Sequence, residues 1–193
     1  MKITAGIDTS YDENCYATAL AIFRDGKLDS IKTDEGELTT PYVSKLFFLR
    51  EAPLLSRLLF GENIDLLFVN GHGVCHPYFF GLATVVGWTH NIRTIGIASR
   101  LIRGEYGRMP SRHPGVDFVT LKCQAVGAAV RLKNFTRSMF VSPGFGIALD
   151  EAIQEYANWA RDGKVPEPLR LAHLKANRLL KERGKRGSPP SAA

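Results

Sequence analysis

Two carboxylates, an amide and a histidine are the residues of this chain whose types and settings could do chemistry together. Asp8 closes the apolar run Ile3-Thr4-Ala5-Gly6-Ile7 and is followed by Thr9-Ser10-Tyr11. A carboxylate there is either a strand-ending turn residue or a ligand placed over the edge of a sheet. Glu51 sits in an otherwise hydrophobic helical pattern, four residues from Phe47 and from Leu55, so the three share a face if the helix continues. An acid on an apolar face needs a partner or a metal, because an unpaired buried charge is costly; a salt bridge with Arg50 is the plainer alternative. Asn70 ends a buried apolar run, and His173 lies in the last helical stretch, three residues after Arg170. Read alone, His173 is an ordinary surface histidine or a ligand. If these four meet at one sheet edge, two acids with neutral O and N donors suit Mg²⁺ or Mn²⁺. Such ions activate water and stabilise the leaving oxygen in phosphodiester cleavage.

The segment Asn70-Gly71-His72-Gly73-Val74-Cys75-His76-Pro77 follows the run Ile64–Val69. Two glycines and two histidines after a buried strand describe a loop whose backbone can approach a ligand closely. His72 and His76 stand four apart, the spacing of a helical metal pair, but Gly73 and Pro77 argue against a regular helix there.

The elements that must position these residues follow from periodicity. Residues 2–8 and 15–23 read as strands, the second followed by the hairpin signal Asp25-Gly26, and residues 27–33 as a third, antiparallel strand. Residues 41–60 take a helical pattern that Pro53 should kink or restart after Glu51. Residues 64–69 form a buried parallel strand, residues 77–87 a helix and residues 94–98 a short strand. Residues 121–132 and 138–142 read as strands, residues 149–161 as a helix, and Pro166 opens a last helix running toward Glu182. Three antiparallel strands followed by helices alternating with parallel strands make an α/β sandwich on a mixed sheet.

The chain has 193 residues, 45% of them hydrophobic and 23% charged, which suits one globular domain and excludes collagenous, coiled-coil or largely disordered proteins. No apolar run is long enough for a transmembrane helix, and the N-terminus lacks a signal-peptide pattern. Cys15, Cys75 and Cys123 offer neither a zinc knuckle nor an even disulfide framework, as expected in the reducing cytoplasm. The net charge of +6 is concentrated at one end. Lys175, Arg178, Lys181, Arg183, Lys185 and Arg186 face a single acid, Glu182, in residues 174–193. Residues 1–183 are expected to form the domain, and residues 184–193 a disordered tail.

The order of motifs resembles the endonuclease V family, repair nucleases of RNase H-like fold that recognise inosine. The matching pieces are Ala5-Gly6-Ile7-Asp8-Thr9-Ser10-Tyr11, Pro41-Tyr42-Val43 and Phe48-Leu49-Arg50-Glu51-Ala52-Pro53. Val69-Asn70-Gly71-His72-Gly73-Val74-Cys75-His76-Pro77, Thr94-Ile95-Gly96-Ile97-Ala98, Val141-Ser142-Pro143-Gly144 and Pro166-Glu167-Pro168-Leu169-Arg170-Leu171-Ala172-His173 continue the set. The resemblance implies an RNase H-like mixed sheet, three antiparallel strands then parallel strands, flanked by helices. It implies a metal-dependent endonuclease, acting as a monomer, that hydrolyses a phosphodiester 3′ to inosine in DNA or RNA. It maps the metal-binding acids onto Asp8 and Glu51, the third ligand onto Asn70 and the late-helix histidine onto His173. Base recognition falls on Gly71, Gly73, Phe47 and the loop histidines His72 and His76, with Tyr42 filling the gap left in the strand.

Several positions depart from the family pattern. Asn70 stands where the family has a third carboxylate, which removes one negative charge from the metal site. Ser99 replaces an expected lysine beside Arg100, Tyr78 an arginine and Val85 a histidine; Phe145 and the pair Ser44-Lys45 differ as well. The alternative is therefore a catalytically impaired homologue that still binds inosine or nucleic acid.

Overall fold

The computed structural model describes residues 1–12, 14–38, 47–107, 114–132, 137–160 and 164–187, with the backbone alone at residue 47 and residues 184–187. Strands β1 (Ile3–Tyr11), β2 (Cys15–Arg24) and β3 (Lys27–Glu37) come first, followed by helix α1 (Phe47–Leu59). Strand β4 (Leu66–Asn70), helix α2 (Leu82–His90) and strand β5 (Thr94–Ala98) come next. Strands β6 (Gly115–Leu121), β7 (Gln124–Arg131) and β8 (Met139–Phe145) precede helices α3 (Leu149–Trp159) and α4 (Glu167–Gly187).

All eight strands form one sheet in the order β3-β2-β1-β4-β5-β8-β7-β6. β1 pairs antiparallel with β2 and parallel with β4, and β4 pairs parallel with β5. Beyond β5 the sheet turns antiparallel again, through β8, β7 and β6. The mixed sheet flanked by helices matches expectation, and the second antiparallel half extends it.

Several boundaries differ from the sequence reading, and the reasons are local. The expected helix over residues 77–87 begins only at Leu82. Phe79 adopts a positive φ of 56°, and a Cβ on Gly81 would overlap the carbonyls of His72 and Gly73. The single strand expected over 121–132 is a hairpin whose turn, Lys122-Cys123, has positive φ at both residues without glycine or asparagine to announce it. Pro53 lies inside α1, and the carbonyl deprived of its N–H partner belongs to the exposed Leu49. Helix α4 runs through Gly187, past the predicted start of the tail at Gly184; residues 188–193 lie outside the described residues.

Side-chain alternation sends the two faces of β1 into different cores. Ile3, Ala5 and Ile7 pack with Leu55 and Leu59 of α1 and with Leu82, Ala83 and Val86 of α2. The opposite face carries Gly6, where a Cβ would overlap the backbone of Leu169. Ala19 and Ala21 of β2 meet Ala172 and Ala176 of α4. Small residues on both surfaces let α4 lie directly on the sheet.

Candidate active site

The placement of α4 on β1 decides which side chains meet. Two residues along a strand advance about 6.6 Å, and four residues along a helix advance about 6.0 Å. With helix and strand in register, Gly6 faces Leu169, Asp8 faces His173 and Ser10 faces Asn177. Asp8 is buried, its side chain only 1% exposed, whereas the His173 side chain is 54% exposed.

Both oxygens of Asp8 accept hydrogen bonds. Asn70 Nδ2, from the exposed last residue of β4, donates to Oδ1 at 2.7 Å. His173 Nδ1 donates to Oδ2 at 2.6 Å. On the far side of the ring, Asn177 Nδ2 donates to His173 Nε2 at 2.9 Å, and Ser10 Oγ donates to Asn177 Oδ1 at 3.0 Å. Because an ionised carboxylate only accepts, the ring proton sits on Nδ1. In the neutral ring Nε2 then accepts, which turns the Asn177 amide group toward it and leaves Oδ1 for the Ser10 hydroxyl. The hydrogen bond to Asp8 raises the His173 pKa above its usual value, with partial burial opposing.

Glu51 approaches from the other face. Its position one turn before Leu55 and two turns before Leu59 puts it on the buried stripe of α1, where it is 3% exposed. Its Oε2 has no hydrogen-bond partner among the described residues. Burial first, and then the negative charge of Asp8, push its pKa well above the ordinary carboxylate value; a hydrogen bond from Tyr11 and the Arg50 charge pull the other way. Arg50 does not form an ion pair with Glu51 among the described residues; its guanidinium lies 4.7 Å from the centre of the Tyr11 ring. Asp8, Glu51, Asn70 and His173 thus converge as the sequence predicts. Tyr11, Ser10 and Asn177 join them without having been singled out. Asn177 carried a signal, four residues after His173, that becomes readable only once α4 is known to run alongside β1.

The loop after β4 is built differently from the sequence expectation. Gly71 has a φ of 154°, a conformation that favours glycine. Gly73 is needed for a close approach to the protein itself: a Cβ there would overlap the carbonyl of Pro143, and its N–H donates to Ser142 Oγ at 2.8 Å. His72 is buried with Nε2 2.9 Å from the Arg100 carbonyl, and burial lowers its pKa. His76 is buried and packs edge-on against Phe48, with the ring of Tyr78 5.6 Å away. Phe48 also meets Phe80 edge-on. The two histidines are occupied by separate partners, and no group of three or more His, Cys, Asp or Glu residues gathers as a ligand cluster among the described residues. Tyr42 lies outside the described residues, as does the side chain of Phe47. The half-exposed aromatics Phe48, Tyr78 and Phe80 were not anticipated as part of this surface.

The donor set can hold one hard cation. Glu51 Oε2 is a buried, unpartnered carboxylate oxygen close enough to Asp8 to feel its charge, which is the environment a divalent ion relieves. Each oxygen of Asp8 keeps a second lone pair beyond its hydrogen bond, and Asn70 has its carbonyl oxygen to offer.

The endonuclease V family model matches residues 1–174. Endonuclease V of Thermosipho melanesiensis is 32% identical over 186 residues, covering 94% of this chain and 81% of that protein. The crystal structure of endonuclease V from Streptomyces avermitilis has a TM-score of 0.85 at 28% identity, covering 94% of this chain and 82% of that one. Endonuclease V of Ciona intestinalis, solved in complex with a 24-mer DNA containing an inosine followed by a ribo-adenosine, shares the fold. Its TM-score is 0.80 at 21% identity, over 94% of this chain and 87% of that one.

Proposed function

Because the chain belongs to the endonuclease V family, we propose that it is a metal-dependent nuclease of DNA repair, hydrolysing a phosphodiester on the 3′ side of inosine. Water supplies the oxygen that joins phosphorus, the bond to the 3′ oxygen breaks, and the products carry 3′-hydroxyl and 5′-phosphate ends. Asp8 and Glu51 would hold Mg²⁺ or Mn²⁺, with Asn70 Oδ1 as a third, uncharged ligand. Such a cation would supply Lewis acidity at the phosphate and lower the pKa of water.

The observation that carries this reading is the buried Glu51 oxygen without a partner, set against Asp8. Asp8 fixes His173 through Nδ1, which orients the ring at the exposed rim of the site. There His173 orders the water and the phosphate. Gly71, with its permissive backbone, and the neighbouring loop through Gly73 would form one wall of the base pocket, with His72 and His76 buried in the same loop. Phe48, Tyr78 and Phe80 provide aromatic faces beside that loop on which a displaced base can stack. Tyr42 and Phe47 complete the recognition set by their place in the family motif. Inosine in DNA is the substrate proposed, with inosine in RNA the alternative.

A monomer in the cytoplasm is the setting that fits best. Three free cysteines support a reducing compartment, and no described helix is long and apolar enough to cross a membrane.

A second reading is a homologue that binds inosine without cutting. The direct observation in its favour is the Asn70 amide, which donates to Asp8 where a third carboxylate would add charge. Incubating the protein with inosine-containing and matched inosine-free oligonucleotides in Mn²⁺ separates the two. Cleavage 3′ to inosine supports the nuclease; tight binding with no product at high protein concentration supports the binder.

A further inference from the structure

The rungs that join α4 to β1 continue one step beyond the catalytic pair. Leu169 meets Gly6, His173 meets Asp8, and Asn177 meets Ser10. Asn177 lies after residue 174, where the match to the family model ends. The hydrogen bonds run in one direction, from Ser10 Oγ to Asn177 Oδ1, from Asn177 Nδ2 to His173 Nε2 and from His173 Nδ1 to Asp8 Oδ2. Asn70 Nδ2 closes the chain on Asp8 Oδ1. With the ring neutral every donor in the chain is uncharged; the carboxylate fixes the Asn70 amide, and the Nε2 lone pair turns the Asn177 amide group toward the ring.

We infer that Asn70 and Asn177 are positioning residues that hold Asp8 and His173 in their working geometry without a cation. In a site of three carboxylates, like charges at close range keep the unloaded arrangement apart, and a metal ion draws it together. Here Asp8 and Glu51 are both buried, and an aspartate at position 70, whose side chain lies against Asp8, would set a third carboxylate in the site. The Asn70 amide replaces that repulsion with a donor. Asn177, anchored by Ser10, holds the other end of the imidazole, so the ring cannot turn away from Asp8. The unloaded site is thereby preorganised, at the expense of one unit of negative charge that would otherwise bind the ion. This inference rests on the metal-assisted reading only for the identity of the ion.

The test reads stability and a ring signal, without substrate. Melting temperatures are measured for wild type, N70D and N177L, each in EDTA and in about 1 mM Mn²⁺. Wild type is expected to differ by less than about 2 °C between the two conditions, and N70D to fall by about 5 °C in EDTA and recover in Mn²⁺. N177L is expected to lose the same amount in both conditions. In ¹⁵N spectra at a pH where the ring is neutral, N177L is expected to move the His173 Nε2 signal downfield, to that of a nitrogen with no hydrogen-bond donor. Three results would overturn the inference: wild type gaining as much from Mn²⁺ as N70D, N70D as unstable in Mn²⁺ as in EDTA, or an Nε2 signal unmoved in N177L. A wild type that passes these tests yet cleaves nothing would instead remove the nuclease reading and leave the inference standing. Inosine-directed cleavage by a protein that fails them would do the reverse.

Discussion

On the α4 side of β1, Asp8 is buried and both of its oxygens accept hydrogen bonds, from Asn70 and His173. On the α1 side, Glu51 is as deeply buried and keeps an oxygen with no partner among the described residues. The two acids differ in surroundings more than in depth. Asp8 belongs to a ladder of polar contacts between two elements of matched repeat. Glu51 sits in a hydrophobic stripe with Tyr11 as its polar neighbour, beside an arginine that turns to the Tyr11 ring. Of the two, only Glu51 keeps a buried carboxylate oxygen without a partner among the described residues.

Breaking the comparison at its Glu51 end gives the largest effect. E51A is expected to reduce cleavage of an inosine-containing strand by on the order of a thousandfold, measured as single-turnover rate in Mn²⁺. A residual rate within tenfold of wild type would show that Glu51 is a structural acid.

Restoring charge at the satisfied end comes next. N70D adds a third carboxylate, and cleavage at limiting Mn²⁺ should rise by roughly 10- to 100-fold. An unchanged rate would move attention to Ser99 and the altered residues Tyr78 and Val85 as the limiting departures.

The same contrast makes a prediction for stability against pH in the absence of metal. The folded-state pKa of Glu51 is raised above its unfolded value. The folded protein therefore binds the extra proton, and this contribution to stability is present at low pH. It is lost as pH rises through the ordinary carboxylate value of 4.5 and on through the raised folded value. E51Q should flatten this decline in urea-unfolding midpoints measured in EDTA. A slope identical to wild type would mean that Tyr11 and Arg50 compensate the charge fully.

The smallest expected effect lies at the far end of α4. Deleting residues 184–193 removes Lys185 and Arg186. The slope of log affinity against log salt for an inosine strand should become shallower by up to about 2, with little change in cleavage at low salt. An unchanged slope would dismiss the basic end as a contact for the phosphate backbone.

Much of the site could be read from the chain because its residues sit at marked boundaries. Asp8 ends an apolar run, Asn70 ends another, and Glu51 interrupts a helical stripe. What could not be read depends on how distant elements lie against each other. Gly6 looks like one glycine among many until α4 is found resting on it. Asn177 gains meaning only from the register that this contact sets. Gly73 suggested room for a ligand, yet the space its missing Cβ leaves is taken by Pro143. The hairpin of β6 and β7 was hidden for a local reason, since Lys122 and Cys123 adopt positive φ without the residues that usually signal such a turn. The second antiparallel half of the sheet arises from long-range pairing, which periodicity does not record.

The proposed activity is tested most directly by cleavage of an inosine-containing oligonucleotide in Mn²⁺ by wild type and by D8A, beside the same strand with adenine in place of inosine. One product is expected, cut on the 3′ side of inosine with a 5′-phosphate, absent from the adenine strand and lost in D8A. Equal cutting of both strands, or a product that survives D8A, would contradict it.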